Sequence, residues 1–294
     1  MSICFIILHY KKAQETAKCI DSILRMSGSG KMQILVVDNS AGDGSAQAVK
    51  EKYCNYDNVH ILPSEDAAGF SRANNIGYQY AVRKFNPDFI AAVNDDIEFC
   101  QEDFAERLQR VYQQTHFGVL GPDVLHTDTG FHQSPIDTRL RTEKEARATI
   151  RKNRVALKLS GVLFPVINRV LEGMHTNQGS RSDIDYGKRS ENVVLLGACL
   201  FFSREYMDRC EDAFYPETQF FYEEYILKCR CERLGLKMIY DPQIKVLHEG
   251  GASTWQSYKD RRKRLKFALY HTMKGCQVYL NYKKGAKFER HCDW

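Results

Sequence analysis

The chain has 294 residues, of which 43% are hydrophobic and 27% charged, and a formal net charge of +5. This is enough apolar material for one large domain, or a domain with an appendage. The ten cysteines are irregularly spaced, and the start, Ser2-Ile3-Cys4-Phe5-Ile6-Ile7-Leu8, has no basic leader and is too short to cross a bilayer, so reduced thiols in a cytoplasm are expected rather than a disulfide framework.

In chain order, Ile3 to Leu8 reads as a strand and Lys12 to Met26 as a helix with apolar residues at helical spacing. Met32 to Val37 is a second buried strand. It ends at Asp38-Asn39-Ser40, and a Gly-rich turn leads into a helix with Asp43 or Ser45 as N-cap. Val59 to Leu62 is a short strand, Phe70 to Phe85 a helix and Phe89 to Val93 a fourth strand. Such alternation predicts a mostly parallel, doubly wound sheet.

A helix over Glu102 to Gln114 and a strand near Gly118 to Val124 follow. Residues 138–190 break the pattern and read as a basic, partly helical insertion. Its apolar part, Val162 to Ile167 with Val170-Leu171, is too short to span a membrane. Val193 to Phe202 is an apolar strand region, Phe220 to Leu234 a helix capped by Gly235, and Lys237–Tyr240 and Ile244–Leu247 two short strands. Residues 257–284 read as a basic helical tail.

The charge is uneven. Residues 139–188 hold eleven Lys/Arg against five Asp/Glu, and residues 259–290 hold eleven against two. Two basic segments on an acidic body imply an anionic partner surface, either membrane or nucleic acid. Absence of a nucleic-acid motif disfavours the second. In the tail, Arg261-Arg262-Lys263-Arg264 beside Leu265, Phe267, Leu269 and Tyr270 resembles an interfacial helix.

The chemistry concentrates at strand ends. Asn94-Asp95-Asp96 follows a buried strand, where two adjacent carboxylates are costly without a cation or donor. In α/β sheets the carboxyl ends of the strands bind ligands, and hard oxygen ligands suit Mg2+ or Mn2+ bridging to phosphates. Asp38 ends strand two, His248 follows the last strand, and Glu223-Glu224 open a helix. Convergence of these ends would make a nucleotide-diphosphate site.

The order of these motifs resembles glycosyltransferase family 2, whose members are inverting nucleotide-sugar transferases with a GT-A fold. The likeness runs over residues 2–125 and 193–256. It is carried by Ile6-Ile7-Leu8-His9-Tyr10, by Val36 to Ser45, by Ala68 to Gly77, by Asn94-Asp95-Asp96, by Gly197 to Glu205, by Phe221-Tyr222-Glu223-Glu224 and by Val246 to Ser253.

The resemblance implies an α/β GT-A domain over 1–256, with a nucleotide-binding half (1–125), the basic insertion (138–190) and an acceptor half (191–256), followed by the basic tail (257–294). Asp38 would accept from the imide N–H of a uracil or thymine ring, and an Asx turn at the same residue is compatible with that role. His9, Tyr10, Arg72, Asn75 and Asp95 would line the nucleotide. Asp96 and His248 would hold Mn2+ or Mg2+ on the diphosphate. Glu224, at a position where the family has Asp, would be the catalytic base, with Glu223 as the alternative.

The implied reaction moves a sugar from a UDP- or dTDP-sugar to a hydroxyl of a glycan or polyprenyl-linked acceptor, with inversion, in bacterial surface polysaccharide synthesis. The likeness is to bacterial rhamnosyltransferase-like members, and rhamnosyl, galactosyl and glucosyl transfer are all compatible with it. The basic segments at 139–171 and 257–284 would place the protein peripherally on the inner face of the plasma membrane, or the tail would join two subunits as a homodimer. A sugar-phosphate nucleotidyltransferase is disfavoured because strand one is followed by His9-Tyr10-Lys11-Lys12 and not by a Gly-rich phosphate loop. The competing expectation is a degenerate GT-A protein that binds nucleotide or a partner without turnover. The motif Glu223-Glu224-Tyr225-Ile226 leaves that open, since the family pattern is Glu-Asp-x-Asp.

Overall fold

In the computed structural model, residues 1–40, 42–63, 69–160, 181–249 and 260–285 are described. The apolar runs of the first half form strands β1 (Ile3–His9), β2 (Gln33–Asp38), β3 (Val59–Pro63) and β4 (Phe89–Asn94). Then come β5 (Ile97–Phe99), β6 (Val119–His126), β7 (Ser190–Glu191), β8 (Cys199–Ser203) and β9 (Met238–His248). One sheet joins all nine in the order β3-β2-β1-β4-β8-β6-β9-β5, with β7 on the side of β9. β1 to β4 pair in parallel, and β6 pairs with β9 in parallel. β8 runs antiparallel between β4 and β6.

Side-chain alternation along each strand divides the core between the two faces of this sheet. Ile3, Phe5 and Ile7 face one core with α1 (Ala13–Leu24), α2 (Ser45–Lys52) and α4 (Phe104–Thr115). Cys4 and Ile6 face the other, with α3 (Phe70–Phe85), the short α6 (Arg204–Met207) and α7 (Glu223–Leu234). Helix α3 lies so close to the sheet that a Cβ on Gly77 would stand 2.6 Å from Ile6 Cγ2 and 2.8 Å from Val37 Cγ2.

A third cluster lies off the sheet. There α7 packs with α5 (Glu143–Leu159) and α8 (Arg261–Lys283) through Ile150, Tyr222, Tyr225, Cys276 and Tyr279. α5 starts with a capping box: the Thr142 hydroxyl accepts from Glu145 N–H, and the Glu145 carboxylate accepts from Thr142 N–H. The excursion that carries α5 closes at its base, where Ile136 N–H donates to Val194 O (2.8 Å) and Val194 N–H to Asp137 O (2.8 Å).

Four expectations change. The two expected strands Lys237–Tyr240 and Ile244–Leu247 are one strand, β9 (Met238–His248), with a register shift opposite Pro122/Asp123, where the proline has no N–H to donate. Of the Val193 to Phe202 run, only the part from Cys199 on lies in a strand, β8, which ends at Ser203. α7 starts at Glu223 and not at Phe220, because Phe221 and Tyr222 both take positive φ (64° and 72°).

The basic tail is the fourth. It is a packed helix antiparallel to α5: Asn153 Nδ2 donates to Leu269 O (3.3 Å) and Tyr279 OH to Arg141 O (2.6 Å). Leu265 and Leu269 are buried, and Phe267 meets Phe220 edge to face. Three of the four apolar residues assigned to an interfacial face therefore pack within the protein, leaving Tyr270 exposed. The apolar part of the insertion (162–171), residues 257–259 and residues 250–253 of the histidine motif lie outside the described residues.

Candidate active site

The parallel block brings the ends of β1, β2 and β4 to one edge, and backbone bonds tie them together. Asn39 N–H donates to His9 O (3.0 Å), Tyr10 N–H to Asp95 Oδ2 (3.2 Å) and Lys11 N–H to Ser40 Oγ (2.8 Å). Asp38 forms an Asx turn, its Oδ1 accepting from Ser40 N–H at 2.9 Å. Asp95 and Asp96 are both buried. Burial, and next the Asp96 charge, push the Asp95 carboxyl up to about 8.

The end of β9 arrives from the far side of the sheet. Glu249 N–H donates to Asp96 O (3.2 Å), and His248 Nε2 stands 3.2 Å from Asp96 Oδ1. His248 Nδ1 lies 2.6 Å from Gln133 Oε1. An amide oxygen only accepts, so Nδ1 carries the hydrogen and Nε2 is turned to the carboxylate. An Nε2···Oδ1 separation of this size matches two neighbouring ligands on one octahedral ion at roughly 2.1 Å each. No group of three or more His, Cys, Asp or Glu is placed to hold a metal ion by itself among the described residues. A cation here would take two protein ligands and complete its shell with phosphate oxygens and water, which is the usual habit of Mg2+. The donor set therefore fits Mg2+ or Mn2+.

Glu223 and Glu224 open α7. Two successive left-handed residues that are not glycine precede them, a strained arrangement that persists only when its surroundings enforce it. Helix α8 supplies the enforcement. A Cβ on Gly275 would lie 2.4 Å from Phe221 O, so α8 presses directly on this turn. Phe267 and His271 meet Phe220 edge to face, while Tyr225 and Tyr279 flank Tyr222.

Glu224 is half-buried and accepts from Gly197 N–H. A Cβ at 197 would stand 3.2 Å from Glu224 Oε1, so the glycine leaves room for the longer acid. The next residue, Ala198, accepts from Asn94 N–H (2.9 Å), which links Glu224 to the Asp95-Asp96 pair through Gly197, Ala198 and Asn94 and two hydrogen bonds. Burial raises both glutamates. Glu223 goes well above the usual carboxylate range, because it is the more buried and also feels the Glu224 charge. Glu223 Oε2 has no hydrogen-bond partner among the described residues. Of the two carboxyls, Glu223 is therefore the more strongly raised.

The structure accordingly brings together Tyr10, Asp38, Asp95, Asp96 and His248, with Glu224 reached through Gly197. Three predicted nucleotide contacts are placed differently. His9 is fully buried, its Nδ1 2.6 Å from Thr16 Oγ1 and its Nε2 2.8 Å from Ser45 Oγ, so the ring ties α1 and α2 to β1. Burial lowers its pKa against the pull of Asp38 and Asp43. Asn75 points to the other side of α3, where its amide donates to Phe214 O (2.7 Å) and accepts from Phe214 N–H (2.9 Å). Arg72 is exposed and donates to Pro216 O (3.2 Å).

Sequence reasoning missed Gln133 and Gly275. Gln133 sits in an irregular stretch that carries no pattern. Gly275 did leave a signal, since an isolated glycine inside a long helix often marks a close approach.

Residues 4–168 match the family model described as glycosyl transferase family 2. The low-salt glycan biosynthesis hexosyltransferase Agl10 of Haloferax volcanii is 28% identical over 126 residues, 43% of this chain and 38% of that protein. The glycosyltransferase AglE of the same organism is 30% identical over 78 residues, 26% of each chain. The matched regions thus span well under half of these curated relatives.

Among solved structures, the mannosyltransferase PcManGT of Pyrobaculum calidifontis, determined with GDP-Man and Mn2+, aligns with a TM-score of 0.54 at 12% identity, over 97% of this chain and 75% of that one. TarS of S. aureus (residues 1–349) aligns at 0.52 and 13% identity, over 98% and 73%. These two likenesses speak for the fold alone, which is that of the GT-A glycosyltransferases. With the family match covering more than half of its length, the chain belongs to glycosyl transferase family 2.

Proposed function

We propose that the protein is an inverting, metal-dependent glycosyltransferase that moves a hexose from a UDP- or dTDP-sugar to a hydroxyl of a glycan or lipid-linked acceptor in surface polysaccharide synthesis. The observation that carries this reading is the meeting of Asp95-Asp96 with His248 at one sheet edge, to which Glu224 is tied through the Gly197-Ala198 backbone.

Asp38 would select the base. One oxygen is held by Ser40 N–H, and the carboxylate would accept from the imide N–H of uracil or thymine. Asp95 would receive ribose hydroxyls beside the Tyr10 backbone. Asp96 and His248 would hold Mg2+ or Mn2+, and what such an ion supplies is Lewis-acid stabilisation of the leaving diphosphate.

Glu224 would take the proton of the acceptor hydroxyl as that oxygen bonds to the anomeric carbon and the bond to the diphosphate breaks on the opposite face. A single displacement of this kind inverts configuration. Glu223, kept protonated, would donate to an acceptor oxygen and so hold the nucleophile against Glu224.

Calorimetric titration of UDP, dTDP and GDP with and without Mn2+, on the wild type and on Asp96→Ala, tests the donor site. GDP belongs in the set because the similar mannosyltransferase was solved with GDP-Man. Mn2+-dependent binding of UDP or dTDP that Asp96→Ala abolishes is the expected result. If none of the three binds, the degenerate, non-catalytic reading replaces this one.

A further inference from the structure

Helices α5 and α8 lie antiparallel, and their charges are sorted along the pair. Near the start of α5 the carboxylates are paired: Glu143 with Arg147 and with Lys284 (3.6 Å), and Glu145 with Arg139 (2.6 Å). Beyond that point, residues 146–159 of α5 carry five Lys/Arg and no Asp/Glu, and residues 261–274 of α8 carry six and none. The bond from Asn153 Nδ2 to Leu269 O sets these two stretches side by side.

An ordinary solvated helix face mixes signs, because acid–base pairs four residues apart stabilise it and like pairs cost energy. Here Arg151/Arg154 and Arg154/Lys158 are like pairs three and four residues apart. Arg151, Arg154, Lys158, Lys263, Lys266 and Lys274 are all exposed. Among these cations stand three exposed large apolar side chains: Val155 (55% exposed), Leu159 (43%) and Tyr270 (44%).

We propose that this α5–α8 face docks on an anionic phospholipid bilayer. Negative headgroups would relieve the like-charge repulsion, while Val155, Leu159 and Tyr270 enter the boundary between headgroups and acyl chains. A nucleic acid would satisfy the charge as well. It would give the two aliphatic side chains no burial, and the face offers no row of stacking aromatics. No helix among the described residues is long and apolar enough to span, so the attachment is to the surface. The same helix bears on the turn before Glu223 through Phe267, His271 and Gly275. Docking would therefore hold the acceptor side of the site next to the bilayer. This use rests on the proposed function, whereas the binding itself is measured without donor or acceptor.

The test is co-sedimentation of the full chain with phosphatidylcholine vesicles made with and without phosphatidylglycerol. Binding to the anionic vesicles alone, weakened by salt, is expected. The triple variant Arg151→Glu/Arg154→Glu/Lys158→Glu should lose about fivefold or more for each cation reversed. Lys50→Glu/Arg83→Glu/Lys84→Glu changes net charge equally on α2 and α3 and should keep most of the binding. Val155→Ser/Leu159→Ser retains every charge and should still bind more weakly. Equal sedimentation with neutral vesicles, or equal losses in the two triple variants, would overturn the proposal. So would unaltered vesicle binding by Val155→Ser/Leu159→Ser together with tight retention on polyuridylate, which would mean a nucleic-acid face. UDP titration of the α5 triple variant controls for folding. A wild type that binds vesicles but no nucleotide would sink the donor reading and leave the docking intact.

Discussion

The two sets of carboxylates in the candidate site are held by opposite means. Asp95 and Asp96 end a regular parallel strand, and the ladder β2-β1-β4 fixes their place without any unusual backbone. Glu223 and Glu224 follow two left-handed residues, and a helix some fifty positions later in the chain presses that turn into shape. The strand-end acids are therefore local consequences of strand geometry, whereas the helix-start acids depend on long-range packing. Damage to the first should abolish nucleotide binding. Damage to the second should spare binding and cost turnover.

The sharpest way to break this contrast is Glu224→Gln. Loss of a general base should lower kcat by about 10²–10⁴-fold while UDP affinity, measured by calorimetry, stays as in the wild type. A similar loss of UDP affinity would erase the distinction between the two sets.

Gly275→Ala comes next. The added methyl must displace the Phe221 backbone, and a shift of about an ångström at the carboxylate can cost on the order of a hundredfold in kcat. Unchanged kcat in a folded variant would show that α8 does not set the turn.

The pH profile sharpens the comparison further. Burial raises Glu224, so the ascending limb of kcat should lie above the ordinary glutamate range, with the rate falling as the base is protonated at lower pH. On the donor side, Asp95 in the folded protein holds its proton up to about pH 8, whereas the unfolded chain releases it near the ordinary carboxylate value. Between these two values the native state binds the extra proton, so metal-free stability should fall as pH rises toward 8. Thermal melts from pH 5 to 8, with and without Mn2+, check this: the cation should raise Tm most at the upper end.

Smaller effects belong to residues outside either set. Asn75→Ala should cost about 1–3 kcal/mol of stability by stranding the Phe214 backbone pair, with nucleotide affinity unchanged in denaturant-matched calorimetry. Arg72→Ala, on an exposed side chain, should stay within about 0.5 kcal/mol in the same melts.

Legibility in the sequence followed the same division. The four parallel strands and α3 could be read from periodicity, and with them the strand-end acids, because pattern and position are both local there. Gly235 was recognised as the cap of α7, and it takes the left-handed conformation (φ 65°). Long-range partners were not readable. Nothing near Asn75 announces that Phe214 will occupy its amide, and nothing near His9 foretells Thr16 and Ser45 on its two nitrogens. The packing of the tail was not readable for the same reason. A helix with a basic face and scattered apolar residues has the same sequence whether its apolar side meets lipid or α5, and only the fold reveals that Leu265 and Leu269 are taken.

The sheet order has a consequence for how the protein is made. Among the described strands β6 pairs with β8 and β9, and β4 presents an open edge until β8 is inserted beside it. As the chain leaves the ribosome, β1 to β4 can assemble early. Yet more than a hundred residues must follow β4 before its edge is covered, an interval in which an apolar strand is available to other chains. Fragments ending near residue 126, or near 168 where the family match stops, should therefore self-associate when expressed alone. Those extended beyond β9 should yield a soluble product.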